Sequence, residues 1–60
     1  MDRNDPFYTV KEVAKMLRLN AVTIYGYIRE GKMSAIKLGK NYRIAEDDLE
    51  VFIEEHKLKR

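Results

Sequence analysis

Val22, Tyr25, Gly26 and Arg29 recur at i, i+3, i+4 and i+7, and Thr23 stands beside them, so a helix through this stretch would carry all five on one side. The set is chemically mixed: an aliphatic methyl surface, a hydroxyl, a phenol and a cation, with one position that has no side chain. Shortly afterwards Lys37, Lys40, Asn41 and Arg43 place three cations and an amide within seven residues. Together they suit a polyanion whose edges also offer hydrogen-bonding and apolar groups. The charge runs agree. From Arg29 to Arg43 five basic residues face the single acid Glu30, whereas Glu46 to Glu55 holds six acids and no base. Net charge is only +2, so the distribution carries more information than the sum.

Other chemistries have little support. There is no Cys, hence no disulfide framework and no thiolate metal site. His56 is the one His and sits on an apolar stripe, where packing explains it; Glu54-Glu55-His56 lacks a second ligand at useful spacing, so no metal and no cofactor is expected. No activated nucleophile or phosphate-cradling glycine loop is present, and 60 residues leave little room for a substrate cavity. The chain is therefore read as no enzyme.

The elements that must position these residues follow from periodicity. Thr9 and Glu12 form a capping box, and Val10, Val13, Ala14 and Leu17 then make one apolar stripe of a first helix. Asn20 is an N-cap type for a second helix from about Ala21 to Glu30, closed by Gly31. Ala21, Ile24 and Ile28, with Tyr27, would face its core. The period then becomes two: Ala35-Ile36-Lys37-Leu38 and Tyr42-Arg43-Ile44 flank the turn residues Gly39-Lys40-Asn41. That predicts a β-hairpin with Ile36, Leu38, Tyr42 and Ile44 inward, Lys37 and Arg43 outward, and Lys40 and Asn41 at the tip. A third helix runs from Glu46 to His56 with Leu49, Phe52, Ile53 and His56 as its apolar stripe; Glu46, Asp47 and Asp48 crowd its first turn, where the helix dipole favours anions. Leu17, Ile24 and Phe52 should meet in one core.

The expected fold is mainly α with a small β-hairpin, in the order helix, helix, hairpin, helix. Two short helices joined by a turn of about three residues have helix-turn-helix geometry, and a hairpin after them is a wing. Such folds lay the second helix in the major groove of duplex DNA. Val22 would pack on a thymine methyl and Thr23 bond a base edge or phosphate. Gly26 is early enough on the helix to approach base edges. Tyr25 and Arg29 would fix the helix on the backbone, and Lys37, Lys40, Asn41 and Arg43 would bring the wing to phosphates or a minor groove.

Tyr8–Leu17, Thr23–Met33, Ala35–Ile44 and Asp48–Ile53 resemble, in order and spacing, the opening helix, recognition helix and exit, wing and closing helix of excisionase-type helix-turn-helix domains, which are related to the DNA-binding heads of MerR-type regulators. The resemblance implies a winged helix-turn-helix fold and sequence-specific duplex binding. The role it implies is an excisionase-like recombination directionality factor, a small transcription regulator, or a packaging domain like that of terminase small subunits. An integrase or recombinase, or adjacent copies on DNA, would be partners. Gly26 departs from the family, which often has Arg or another long polar residue there, and Ala45 stands where Pro often opens the last helix.

The expected layout is an N-terminal arm over residues 1–7, the winged domain over 8–56 and a basic tail over 57–60. With no long dimer helix the chain is expected to be a monomer in free solution. Its longest uncharged run, Leu19 to Ile28, is too short and polar for a membrane span, and the setting expected is cytoplasmic, in a prokaryote, phage or mobile element. A reading of another class makes the same fold a protein-interaction module docking through Val22, Tyr25 and the acidic last helix. Salt dependence separates the two, because phosphate binding releases counterions.

Overall fold

The computed structural model describes residues 6–58. Its elements are β1 (Phe7–Thr9), α1 (Val10–Leu17), α2 (Ala21–Arg29), β2 (Ile36–Leu38), β3 (Asn41–Ala45) and α3 (Glu46–Glu55). The architecture is three helices on a small antiparallel sheet, as the periodicity required. The strand order is β1-β3-β2, so the hairpin is widened by a strand that precedes the first helix.

Helix α1 begins where its capping box demands. The Thr9 hydroxyl accepts from the Glu12 N–H at 3.1 Å, and the Glu12 carboxylate accepts from the Thr9 N–H at 2.8 Å. The helix ends at Arg18, which lies in the left-handed region at φ 57, and the Leu19 N–H then closes on the Ala14 carbonyl at 2.8 Å. This tight exit is what turns the chain into α2 within three residues. Asn20 occupies the N-cap of α2 but its side chain makes no capping hydrogen bond, contrary to its expected role. At the far end Glu30 is the C-cap and Gly31 follows at φ 77, a conformation an L side chain resists.

The core joins Val10, Val13 and Ala14 of α1, Ile24 of α2, Ile44 of β3, and Leu49 and Phe52 of α3. Leu17 packs against this cluster from its edge. Met33, in the link between α2 and β2, is also buried, which the sequence pattern did not indicate. Ile53 is 37% exposed and falls off the α3 stripe, whereas His56 stacks on the Phe52 ring at 4.1 Å and its Nδ1 is 2.8 Å from the Phe52 carbonyl. Packing accounts for this His.

The hairpin differs from expectation by one residue of turn. Leu38 pairs with Asn41, so the loop is Gly39-Lys40 alone, with Gly39 at φ 64 at the first central position as a type II′ turn requires. Residues directly opposite share a face, and a slip of one residue exchanges the faces. Ile36 therefore sits with Arg43 on the outer face, and Lys37 sits with Tyr42 and Ile44 on the inner one. Ile36 is 43% and Leu38 55% exposed, and neither joins the core. Asn41 is the first residue of β3 and only Lys40 of the two is in the turn. Phe7, placed by the sequence reading in the arm, opens β1 and pairs with Ala45, and the Pro6 carbonyl accepts from the Glu46 N–H at 2.8 Å; residues 1–5 of that arm lie outside the described residues, as do 59 and 60.

Two outcomes follow. Leu38→Ala should change stability by less than ~0.5 kcal/mol, as an exposed site does, whereas Ile44→Ala should cost ~2–5 kcal/mol. Denaturant melts would show it, and equal losses would restore the inward placement of Leu38. Arg18→Gly should relieve the left-handed strain and stabilise by ~1 kcal/mol, raising Tm by roughly 4–8 °C. An unchanged or lowered Tm would mean that the Arg18 side chain offsets its backbone.

Candidate nucleic-acid interface

Helix α2 buries Ile24 and half-buries Ala21, Tyr27 and Ile28, so what remains outside is set by its own periodicity. Val22 is 76% exposed, Tyr25 40%, and Arg29 is exposed at the last turn; Thr23 and Gly26 are partly covered between them. The five residues singled out by spacing thus share the outward side of one nine-residue helix. A Cβ added at Gly26 would meet nothing within 4 Å. The missing side chain is therefore not required by packing within the chain.

The wing is tied to this helix by aromatic contact. The Tyr42 ring meets Tyr25 edge to face, with centroids 5.9 Å apart and planes at 63°. Lys37 lies opposite Tyr42 in the ladder, so the corrected register puts Lys37 on the sheet face that carries the α2 contact. Lys40 is exposed at the tip. Arg43 is half-buried, and its Nη1 donates to the Tyr42 carbonyl at 3.2 Å.

Most of the described basic residues carry charge that no acid of the fold neutralises. Among the described residues the ion pairs are Lys32–Glu30 at 3.3 Å and Lys57–Glu54 at 2.7 Å. Lys11, Arg29, Lys37, Lys40 and Arg43 pair with no carboxylate among the described residues, and neither do Lys15 and Arg18. Six acids are collected on α3, three of them in its first turn, where the dipole accommodates them. Unneutralised cations cost little in water and leave their field available to an anion.

The strands also create a recess. β1 pairs with β3 only from Arg43 to Ala45, whereas β3 runs two residues further, to Tyr42 and Asn41. At Thr9 the chain leaves the sheet and becomes α1. The gap is a cleft of about 170 Å³ lined by Thr9, Val10, Lys11, Tyr25, Asn41, Tyr42 and Arg43. Lys11 in this cleft is not among the residues that spacing singles out. Its proximity to the wing depends on a strand pairing that no local pattern announces. On the outer face of the sheet Phe7, Ile36, Leu38 and Arg43 line a second, more apolar groove. Among the described residues no group of His, Cys, Asp or Glu is placed to hold a metal ion, and no helix is long and apolar enough to cross a membrane.

The chain belongs to a helix-turn-helix domain family, whose model matches residues 7–57. It is 36% identical over 45 residues, 75% of its length, to the uncharacterized protein YvgK of Bacillus subtilis (strain 168). It is 33% identical over 36 residues, 60% of its length, to the Mycobacterium tuberculosis proteins MT0521 (strain CDC 1551 / Oshkosh) and Rv0500A (strain ATCC 25618 / H37Rv), both named as candidate DNA-binding proteins. The matched segment spans 15% of the first relative and 46% of the other two. No solved structure matches the chain.

Because the space beside Gly26 is open, Gly26→Ala should stabilise α2 by ~1 kcal/mol. Thermal unfolding would measure it. A destabilised variant would mean that α2 needs glycine for a reason internal to the fold.

Proposed function

We propose that the domain binds duplex DNA sequence-specifically, with α2 in the major groove and the wing on the backbone or an adjacent minor groove. The observation that carries this reading is the outward side of α2 joined through Tyr25 and Tyr42 to a wing whose cations form no ion pair among the described residues. Membership of the helix-turn-helix family and the naming of two relatives as candidate DNA-binding proteins support it. Val22, Thr23 and Gly26 approach base edges. Tyr25 and Arg29 hold the helix on phosphates, and Lys37, Lys40, Asn41 and Arg43 bring the wing to the backbone. The chemistry is binding without catalysis.

Within that reading the role is that of an excisionase-like directionality factor or a small transcription regulator; a packaging role is a further member of the same class. One module of this size covers ~600–1,000 Å² on DNA, which limits affinity. Adjacent copies, or a recombinase at a neighbouring site, would supply the rest.

The test combines site selection from a random duplex pool with affinity measured against salt. Thr23→Ala should relax preference at one or two base pairs, losing ~1–3 kcal/mol of discrimination. Lys37→Ala and Lys40→Ala should leave the preferred sequence unchanged and each flatten the slope of log affinity against log salt by ~0.9. Identical site preferences in wild type and Thr23→Ala, with folding intact, would remove α2 as the reading element. An unchanged slope in the double lysine variant would leave the wing structural.

A further inference from the structure

The cleft between α1, α2 and β3 gathers hydrogen-bond donors from three elements. Lys11 comes from the first turn of α1, Tyr25 from α2, and Asn41 and Arg43 from β3, and all four line the same recess. Lys11 is exposed and has no carboxylate partner among the described residues. Arg43 commits one N–H to the Tyr42 carbonyl, and a guanidinium has five. The Tyr25 ring is held by its edge contact with Tyr42, which restrains the phenol at the cleft wall. Asn41 adds an amide that can donate. Glu12, next to Lys11 in the chain, accepts from the Thr9 N–H in the capping box and does not line the cleft. What the recess offers is therefore two cations, a phenol and an amide, with no carboxylate.

Its size suits a small anion. A liquid water occupies ~30 Å³, so a cleft of about 170 Å³ has room for a phosphate group with water beside it. We infer that the cleft seats one backbone phosphate of the duplex, and that Lys11, on the helix outside the reading element, supplies a charge for it. The inference rests on the duplex-binding reading and adds to it a site on α1. Its consequence is geometric. A single phosphate held by α1, α2 and β3 together fixes the rotation of α2 in the groove, so that the wing and the reading helix dock as one unit. Phosphate contacts of this kind set register and carry no sequence information themselves.

The experiment uses the selected duplex carrying one neutral methylphosphonate at a time, with wild type, Lys11→Gln and, as a control distant in sequence, Lys57→Gln. Lys57, just beyond α3, pairs with Glu54 of that helix and does not line the cleft. For wild type, methylphosphonates should lower affinity wherever a contacted phosphate is neutralised, about tenfold each, the worth of a lost charge-assisted contact. In Lys11→Gln the penalty at one of these positions should shrink, with Arg43, Tyr25 and Asn41 still facing it, while the others keep their wild-type size, the salt slope should fall by ~0.9, and the selected sequence should stay the same. Lys57→Gln should reproduce the wild-type profile, and thermal melts should show all three folded. Lys11→Gln with the wild-type slope and the wild-type methylphosphonate profile would overturn the phosphate seat while leaving duplex binding intact. Failure of wild type to bind any duplex would instead sink the duplex-binding reading, and the seat with it. Millimolar inorganic phosphate alone shifting the Lys11, Tyr25 and Asn41 amide resonances, with no sensitive methylphosphonate position, would also overturn it, since the cleft would then be a free-anion site.

Discussion

The structure depends on one short antiparallel ladder, in which Phe7, Tyr8 and Thr9 pair with Ala45, Ile44 and Arg43. Both ends of that ladder are also helix caps. Thr9 ends β1 and is the N-cap of α1, while Ala45 ends β3 and is the N-cap of α3. Two helices therefore leave the sheet at positions fixed by three residue pairs, and the fully buried Ile44 between them anchors the arrangement to the core. Two-stranded hairpins are marginal in water, and the third strand is what makes this wing part of the body. Helix α2 is in turn placed by the left-handed exit from α1 at Arg18 and by Ile24 in the core.

The parts of this design that rest on local chemistry were readable in the chain. The Thr9 and Glu12 box, the stripes of Val10, Val13 and Ala14 and of Leu49 and Phe52, and the outward side of α2 all follow from spacing within one turn or two. The hairpin was readable as an element, but its register was not. Gly39-Lys40-Asn41 admits a two-residue or a three-residue loop, and the choice decides which side of β2 faces inward. Choosing the longer loop sends Ile36 and Leu38 to the core on hydrophobicity alone, whereas the structure leaves them outside beside Arg43. β1 was missed because three residues show no period, and its partner lies more than thirty positions away. The same non-local pairing brings Lys11 to the wing. Met33 is buried by the return of the chain from α2 to β2, a path with no periodic signal.

The candidate site inherits its character from this geometry. The outward side of α2 is rigid because its inner side is core, and Tyr42 transmits the position of the wing to Tyr25. Among the described residues the cations on α1, α2 and the wing have no carboxylate partner, while six acids are collected on the first turn and outer face of α3. Electrostatic attraction to a polyanion would therefore act on the same elements that the aromatic contact holds together. Shape and charge meet on one assembly.

The most direct test is a titration of the isotopically labelled protein with its selected duplex, followed by backbone amide resonances. The account predicts that shifts concentrate at Val22, Thr23, Tyr25, Gly26 and Arg29, at the wing from Lys37 to Arg43 and at Lys11, and shrink steeply as salt rises. Shifts gathered instead on α3 around Val51 and Glu54, insensitive to salt, would contradict it and turn the domain into a protein-docking module.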